Sequence, residues 1–140
     1  MDLKLELVLL PVSDVDRAKA FYLDKVGFSL HVDHQPNDDF RVVQLNPPGS
    51  ACSISIGKGI TAAEPGSVVG LHLMVTDIEA ACTELSGRGV DVGPIHHFAD
   101  GQQRPGPDPD HADYNSFSSF TDPDGNSWVL QERKAGPPGT

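Results

Sequence analysis

Basic residues are scarce in this chain. Ten Lys and Arg stand against 20 Asp and Glu over 140 residues, a formal net charge of −10. A phosphate backbone or an anionic membrane surface would be repelled, so neither nucleic acid nor membrane is an expected partner. Long apolar runs are also missing. The longest, Leu7 to Val12, falls far short of the ~20 residues a membrane helix needs. No basic segment precedes it in the manner of a secretory signal, so the expected location is the cytoplasm. Cysteine is limited to Cys52 and Cys82, both inside apolar patterns. Without C-x-x-C spacing they form neither a zinc site nor a disulfide framework, and two buried thiols are expected. No G-x-S-x-G, H-E-x-x-H or phosphate-cradling G-x-x-x-x-G-K occurs, and GKGI at 57–60 has the wrong spacing.

What the chain does contain is a repeat. VSDVDRAKAFY at 12–22 has a counterpart in VTDIEAACTEL at 75–85, 63 residues later. NPPGSACSIS at 46–55 matches DPDGNSWVLQ at 122–131, 76 residues later. The two offsets differ by 13, so the second half carries an insertion, placed in 93–113. That segment holds seven Gly or Pro between Gly93 and Pro109 and reads as a long loop. Each half opens with an alternating strand, 4–12 and 69–75. Asp14 and Asp77 then stand where a side chain can accept the open N–H groups of a helix's first turn, with Ser13 and Thr76 as competing caps. Helices follow at 15–25 and 78–87, stopped by Gly27 and Gly89. Further strands are expected at 28–34, 39–46 and 51–57, and at 90–96, 115–121 and 127–133. Pro48-Gly49 and Asp124-Gly125 mark tight turns, and Asp122 and Asp124 are read as turn formers. The fold class is therefore α+β, a single 1–140 domain of two β-α-β-β-β modules, 3–62 and 68–133. A flexible tail is expected at 134–140.

A doubled β-α-β-β-β unit with a V-x-D…A-x-x-F-Y opening and a D-P-D-G-N turn resembles the vicinal oxygen chelate superfamily, which includes glyoxalases, bleomycin-resistance proteins and extradiol dioxygenases. The resemblance covers roughly residues 4–133. It implies two curved sheets around a shared cavity. It also implies four metal-ligand positions, which fall here on Leu7, Ser53, Gly70 and Val129. None carries an imidazole or a carboxylate, so no metal and no cofactor is expected. His72 and Gln131 each lie two residues past such a position. The resemblance implies that their strands run antiparallel, which would hold the two side chains roughly 13 Å apart along the strand, too far for one ion. The histidines of the insertion, His96, His97 and His111, lie among acidic residues that could catch a cation. Adjacent His96 and His97 point to opposite sides of an extended chain, so a solvated acidic loop is the favoured reading there.

Strand alternation divides the remaining residues. Val8, Leu10, Val12, Leu71, Leu73, Val75, Cys52, Ile54, Trp128 and Leu130 should face the helices. Leu5, Leu7, Leu9, Ser53, Ser55, Gly70, His72, Met74, Val129 and Gln131 should line the cavity. Such a lining, mostly apolar with a few polar handles, suits a small, partly apolar molecule. The candidate ligand-binding residues are Leu7, Ser53, Ser55, His72, Met74, Val129, Gln131 and Arg41. Arg41 could pair a ligand carboxylate, or be an exposed arginine paired with Asp38 or Asp39. Alternation leaves Arg41, Gln44, Tyr114 and Ser118 without an assigned face. His72 is the candidate catalytic residue, as a general base or a donor. The first functional expectation is a metal-independent binding protein that sequesters a natural product or antibiotic, with 93–113 as a glycine-hinged lid. The second is a metal-free isomerase, lyase or hydrolase working through His72. A metal-dependent glyoxalase or dioxygenase ranks third. A homodimer is the expected assembly.

Overall fold

The computed structural model describes residues 1–134. Apart from Lys134, the tail expected to be flexible lies outside the described residues. The fold is α+β, and the chain forms two compact units. One is Met1–Val68 together with Asp122–Asn126, and the other is Val69–Thr121 with the segment that starts at Ser127. Among the described residues no helix is long and apolar enough to cross a membrane.

In the first unit β1 (Leu7–Leu9) leads to α1 (Val15–Ala20), which continues as a π-helical segment, Phe21–Val26. The Asp14 side chain accepts the Arg17 N–H at 3.0 Å, capping α1 as expected. The helix stops where Gly27 turns left-handed, φ 91°, and the N–H groups of Gly27 and Phe28 both return to the Tyr22 carbonyl. β2 (Ser29–Asn37), β3 (Phe40–Asn46) and β4 (Ser53–Lys58) complete a sheet ordered β1-β4-β3-β2. β1 runs parallel to β4, with Leu7 opposite Ser53 and Leu9 opposite Ser55. The other pairings are antiparallel. Val43, Leu45, Ile54 and Ile56 alternate onto one face and are buried with Leu10, Ala18, Tyr22 and Phe28. Each such large side chain contributes ~1.5–3 kcal/mol by leaving water.

The D-P-D-G-N turn belongs to this unit and does more than reverse the chain. Asp122, only 4% exposed, accepts the Asp124 and Asn126 N–H groups on one oxygen. On the other it accepts the Tyr22 hydroxyl and the Asn126 amide, each at 2.8 Å. The Asn126 amide also donates to the Pro11 carbonyl. A Cβ on Gly66 would meet the Asp124 carbonyl oxygen, so the chain passes this turn with no room for a side chain.

The second unit contains β5 (Leu71–Val75), α2 (Ile78–Gly87), β6 (His96–Ala99), β7 (Gln102–Pro105), β8 (Phe117–Thr121) and β9 (Ser127–Glu132). Its sheet is ordered β5-β9-β8-β6-β7. Asp77 caps α2 by accepting the Ala80 N–H. Phe120 and Trp128 stack at 6.2 Å in a core shared with Ile78, Leu85, Val90 and Leu130.

Three expectations require correction here. First, 90–95 forms no strand, and 93–113 is not one long loop. Residues 96–105 form a hairpin, β6–β7, that extends the sheet by antiparallel pairing. Second, the first and last strands of each module, neighbours in its sheet, run parallel, not antiparallel: His72 lies opposite Val129 and Met74 opposite Gln131. The helical crossover restores the chain direction, and the two reversals that follow cancel. His72 and Gln131 are therefore diagonal neighbours, and the argument that separated them by strand direction fails. Third, Cys52 and Cys82 are free thiols, half-buried instead of buried.

Candidate functional site

Each sheet packs one face against its helix and presents the other as the candidate ligand surface. In the second unit, alternation and register gather His72 and Met74 from β5 with Val129 and Gln131 from β9. Phe117 and Ser119 join them from β8, opposite Gln131 and Val129. β6 adds His96, opposite Phe117, and Phe98 two residues on. His96 stacks on Phe117 at 5.4 Å, and Phe98 meets both rings edge-on at 5.8 and 5.7 Å. The result is an aromatic platform at one side of an apolar strip.

The platform is held by polar groups behind it. The Asn115 side chain accepts the Phe98 N–H and donates to the Phe98 carbonyl. Its amide also donates to Asp108 at 2.9 Å. Asp108 further accepts the Asp110 and Ala112 N–H groups. These bonds, the Asn115 amide first, hold its carboxyl below the usual carboxylate range. His97 is buried on the opposite side from His96, its Nδ1 2.8 Å from the Gly106 carbonyl. His111 Nδ1 lies 2.9 Å from Glu132 Oε1, and the other Glu132 oxygen accepts the Ile78 N–H at the start of α2. The loop histidines thus face three different partners and do not converge.

His72 is solvent-exposed. Its Nδ1 donates to the Gly70 carbonyl at 2.7 Å, which leaves Nε2 as the outward acceptor. Gln131 donates through Nε2 to the Tyr114 carbonyl at 3.1 Å, so its oxygen is the part available to a ligand. Met74 and Val129 are half-buried beside them.

In the first unit, Leu7, Ser53 and Ser55 share a face with Leu9 and Gln44, away from α1. Ser53 and Ser55 are buried. The Ser53 hydroxyl donates to Asn46 Oδ1, whereas Ser55 Oγ has no hydrogen-bond partner among the described residues. Arg41 sits on the other face, with Val43 and Leu45. Its guanidinium binds Asp33 through Nε and one terminal nitrogen, and Asp16 of α1 through the other, at 2.8–3.1 Å. Lys19 also reaches Asp33 at 2.8 Å. The partners are Asp33 and Asp16, not Asp38 or Asp39. A separate concavity of about 550 Å³ opens beside the start of α1 and the end of β4, and none of the candidate residues lines it.

The implied metal positions do not fit a metal. Leu7, Ser53, Gly70 and Val129 offer a single hydroxyl, already donated to Asn46. The register departs from the repeat as well. Leu7 faces Ser53 in the first unit, but in the second His72, not Gly70, stands opposite Val129. Gly70 instead donates to the Ser127 carbonyl. Among the described residues no three His, Cys, Asp or Glu side chains are grouped to hold a metal ion.

Sequence reasoning missed Phe98 and Phe117 and saw His96 only as a cation candidate. The signal was present in H-H-F, where alternation puts 96 and 98 on one face. It could be used only once 96–99 was known to be a strand.

Comparison with known proteins sets this geometry in context. The chain is 33% identical to the solved structure of TnmS3, an antibiotic-binding protein from Streptomyces sp. CB03234, covering 94% of this chain and 96% of that one at a TM-score of 0.71. A member of the glyoxalase/bleomycin resistance protein/dioxygenase superfamily from Sphaerobacter thermophilus DSM 20745 is 28% identical over 94% and 98% of the two chains, also at a TM-score of 0.71. YetH of Bacillus subtilis (strain 168), described as an uncharacterized protein, is 25% identical over 123 residues, 86% of this chain and 91% of its own. The family model matches residues 4–130, and the chain belongs to the Glyoxalase/Bleomycin resistance protein/Dioxygenase superfamily.

Proposed function

We propose that this protein binds a small, partly apolar natural product and holds it unchanged, without a metal. The observation that carries the reading is the helix-distal face of the second sheet. There an aromatic platform of His96, Phe98 and Phe117 adjoins Met74 and Val129, with Gln131 and His72 as isolated polar handles. Flat rings and a flexible thioether give contact area to a planar ligand, and few polar groups fix its orientation. The likeness to an antibiotic-binding protein supports the same class of ligand.

One observation favours a second reading. The Nδ1–Gly70 bond fixes His72 with Nε2 outward, the geometry of a general base. A single experiment separates the two. The protein is titrated with metal-free bleomycin and with planar polycyclic antibiotics, and each bound compound is recovered and weighed by mass spectrometry. Stoichiometric binding with unchanged mass supports sequestration, and Phe98→Ala should weaken it. A product of altered mass, lost in His72→Ala while the melting temperature holds, establishes the enzyme instead. Binding that is unaffected by Phe98→Ala and Phe117→Ala removes the platform from the site.

A further inference from the structure

The helix-distal face of the second sheet is one-sided in its hydrogen bonding. Across β5 to β9, alternation and register place no Lys, Arg, Asp or Glu on that face. Arg133, the next residue of that parity beyond β9, has its guanidinium 5.7 Å over the Tyr114 ring and 3.9 Å from Asp113. A ligand lying on the strands therefore meets no carboxylate, ammonium or guanidinium. The polar side chains decide what its edge must offer.

Two of those side chains are fixed in direction by backbone carbonyls. A carbonyl only accepts, so the atom facing it must donate. His72 holds Nδ1 2.7 Å from the Gly70 carbonyl, so its proton sits on Nδ1 and the neutral ring turns out Nε2 as an acceptor. Gln131 holds Nε2 3.1 Å from the Tyr114 carbonyl, so its oxygen is the end turned out. The pair are diagonal neighbours, since His72 lies opposite Val129. Two acceptors thus stand together at one end of the apolar strip.

We propose that the ligand is a planar aromatic that presents hydrogen-bond donors, hydroxyl or amine, on one edge and no carboxylate. The inference rests on this face being the ligand surface. An edge of ether or carbonyl oxygens would bury acceptor against acceptor, and each group would lose its water without a replacement. A carboxylate would add a charge that no cation on the strands can pair, in a chain of net charge −10. A donor edge satisfies both side chains. Selection of this kind discriminates more strongly than a pocket sensing one extra methyl group.

The test uses four pyrenes that differ in one substituent, each titrated by its own fluorescence at about pH 7.5. They are 1-hydroxypyrene, 1-aminopyrene, 1-methoxypyrene and 1-pyrenecarboxylate. Stacking alone would favour the methoxy compound over the hydroxyl, because it is the more apolar. The hydroxyl and amine compounds should instead bind at least about tenfold tighter than the methoxy. The carboxylate should bind weakest, at high salt as at low. In the double variant His72→Leu, Gln131→Leu the hydroxyl-to-methoxy ratio should fall to about one. Methoxypyrene should bind that variant at least as well as the native protein, which shows that the surface is intact. Equal binding of the four compounds, or a ratio unchanged in the double variant, would overturn the proposal and leave the aromatic platform as the binding surface. Failure of every pyrene to bind, or binding indifferent to Phe98→Ala, would overturn the reading of the face itself and this proposal with it.

Discussion

Replacing Asp122 by alanine should be among the more damaging changes available in this chain. Its carboxyl group accepts four hydrogen bonds: two from turn N–H groups at 3.0 Å, and two at 2.8 Å from the Tyr22 hydroxyl and the Asn126 amide. Tyr22 and Asn126 are both fully buried. Their donors would lose this acceptor where water does not replace it, at ~1–3 kcal/mol each. The turn N–H groups add less, because they lie nearer the surface. The expected loss is about 3–5 kcal/mol, and thus a fall in melting temperature of roughly 10–20 °C for a domain of this size. Tyr22→Phe keeps the ring and removes one donor, so its cost should be about 1–2 kcal/mol. If the two groups act through each other, the double variant should fall short of the sum of the singles by about 1 kcal/mol. Chemical denaturation monitored at Trp128 measures all three. A melting temperature for Asp122→Ala within about 3 °C of the native value would refute the reasoning and return Asp122 to the role of a plain turn former.

Other outcomes follow from the same bonds. Glu132→Ala leaves the Ile78 N–H and His111 without their buried acceptor, and should cost about 2–4 kcal/mol by denaturant titration. Ser55→Ala removes a buried hydroxyl that lacks a partner among the described residues, so stability should hold or rise by ~0–1 kcal/mol. A clear loss would mean the hydroxyl is satisfied. Asp33 is held well below the usual carboxylate range, first by its hydrogen bonds to Arg41 and then by those to Lys19. A depressed folded-state value stabilises the protein above the unfolded pKa of ~3.9, and that stability is lost as pH falls through the folded value. Asp33→Asn should therefore lower the melting temperature at pH 7 and flatten its decline below about pH 4. A gap that stays constant from pH 7 to pH 2 would exclude the linkage.

The residues placed correctly from sequence share a physical property: they are decided locally. Asp14 and Asp77 cap their helices because a side-chain acceptor three residues before an open N–H needs nothing distant. Gly27 ends its helix because a left-handed residue is cheapest as glycine. Alternation in 53–56 and 127–132 separated Ile54, Trp128 and Leu130 from Ser53, Val129 and Gln131, since a strand's period is a property of its own backbone. Strand direction was equally legible and was misread. In the first unit one crossover and two reversals return β4 to the direction of β1; in the second the β6–β7 hairpin adds a strand, and the pairing of β8 with β6 is needed to see that β9 again runs with β5.

What the sequence alone determined, then, was the doubled α+β plan, the caps and turns, and which residues share a face within each strand. The tertiary structure decided the partners. The two-residue displacement that sets His72 opposite Val129 depends on which of several equivalent ladders forms between segments over 50 residues apart, and alternation cannot choose among registers that differ by two. The hairpin 96–105 depended on finding an edge strand to join, which turned a Gly- and Pro-rich stretch into part of a sheet. Arg41 was drawn to Asp33 and Asp16 by charges brought from two other elements. The aromatic platform exists because β6 lies beside β8. Local physics fixed the direction in which each side chain points, and only long-range pairing fixed what it meets there.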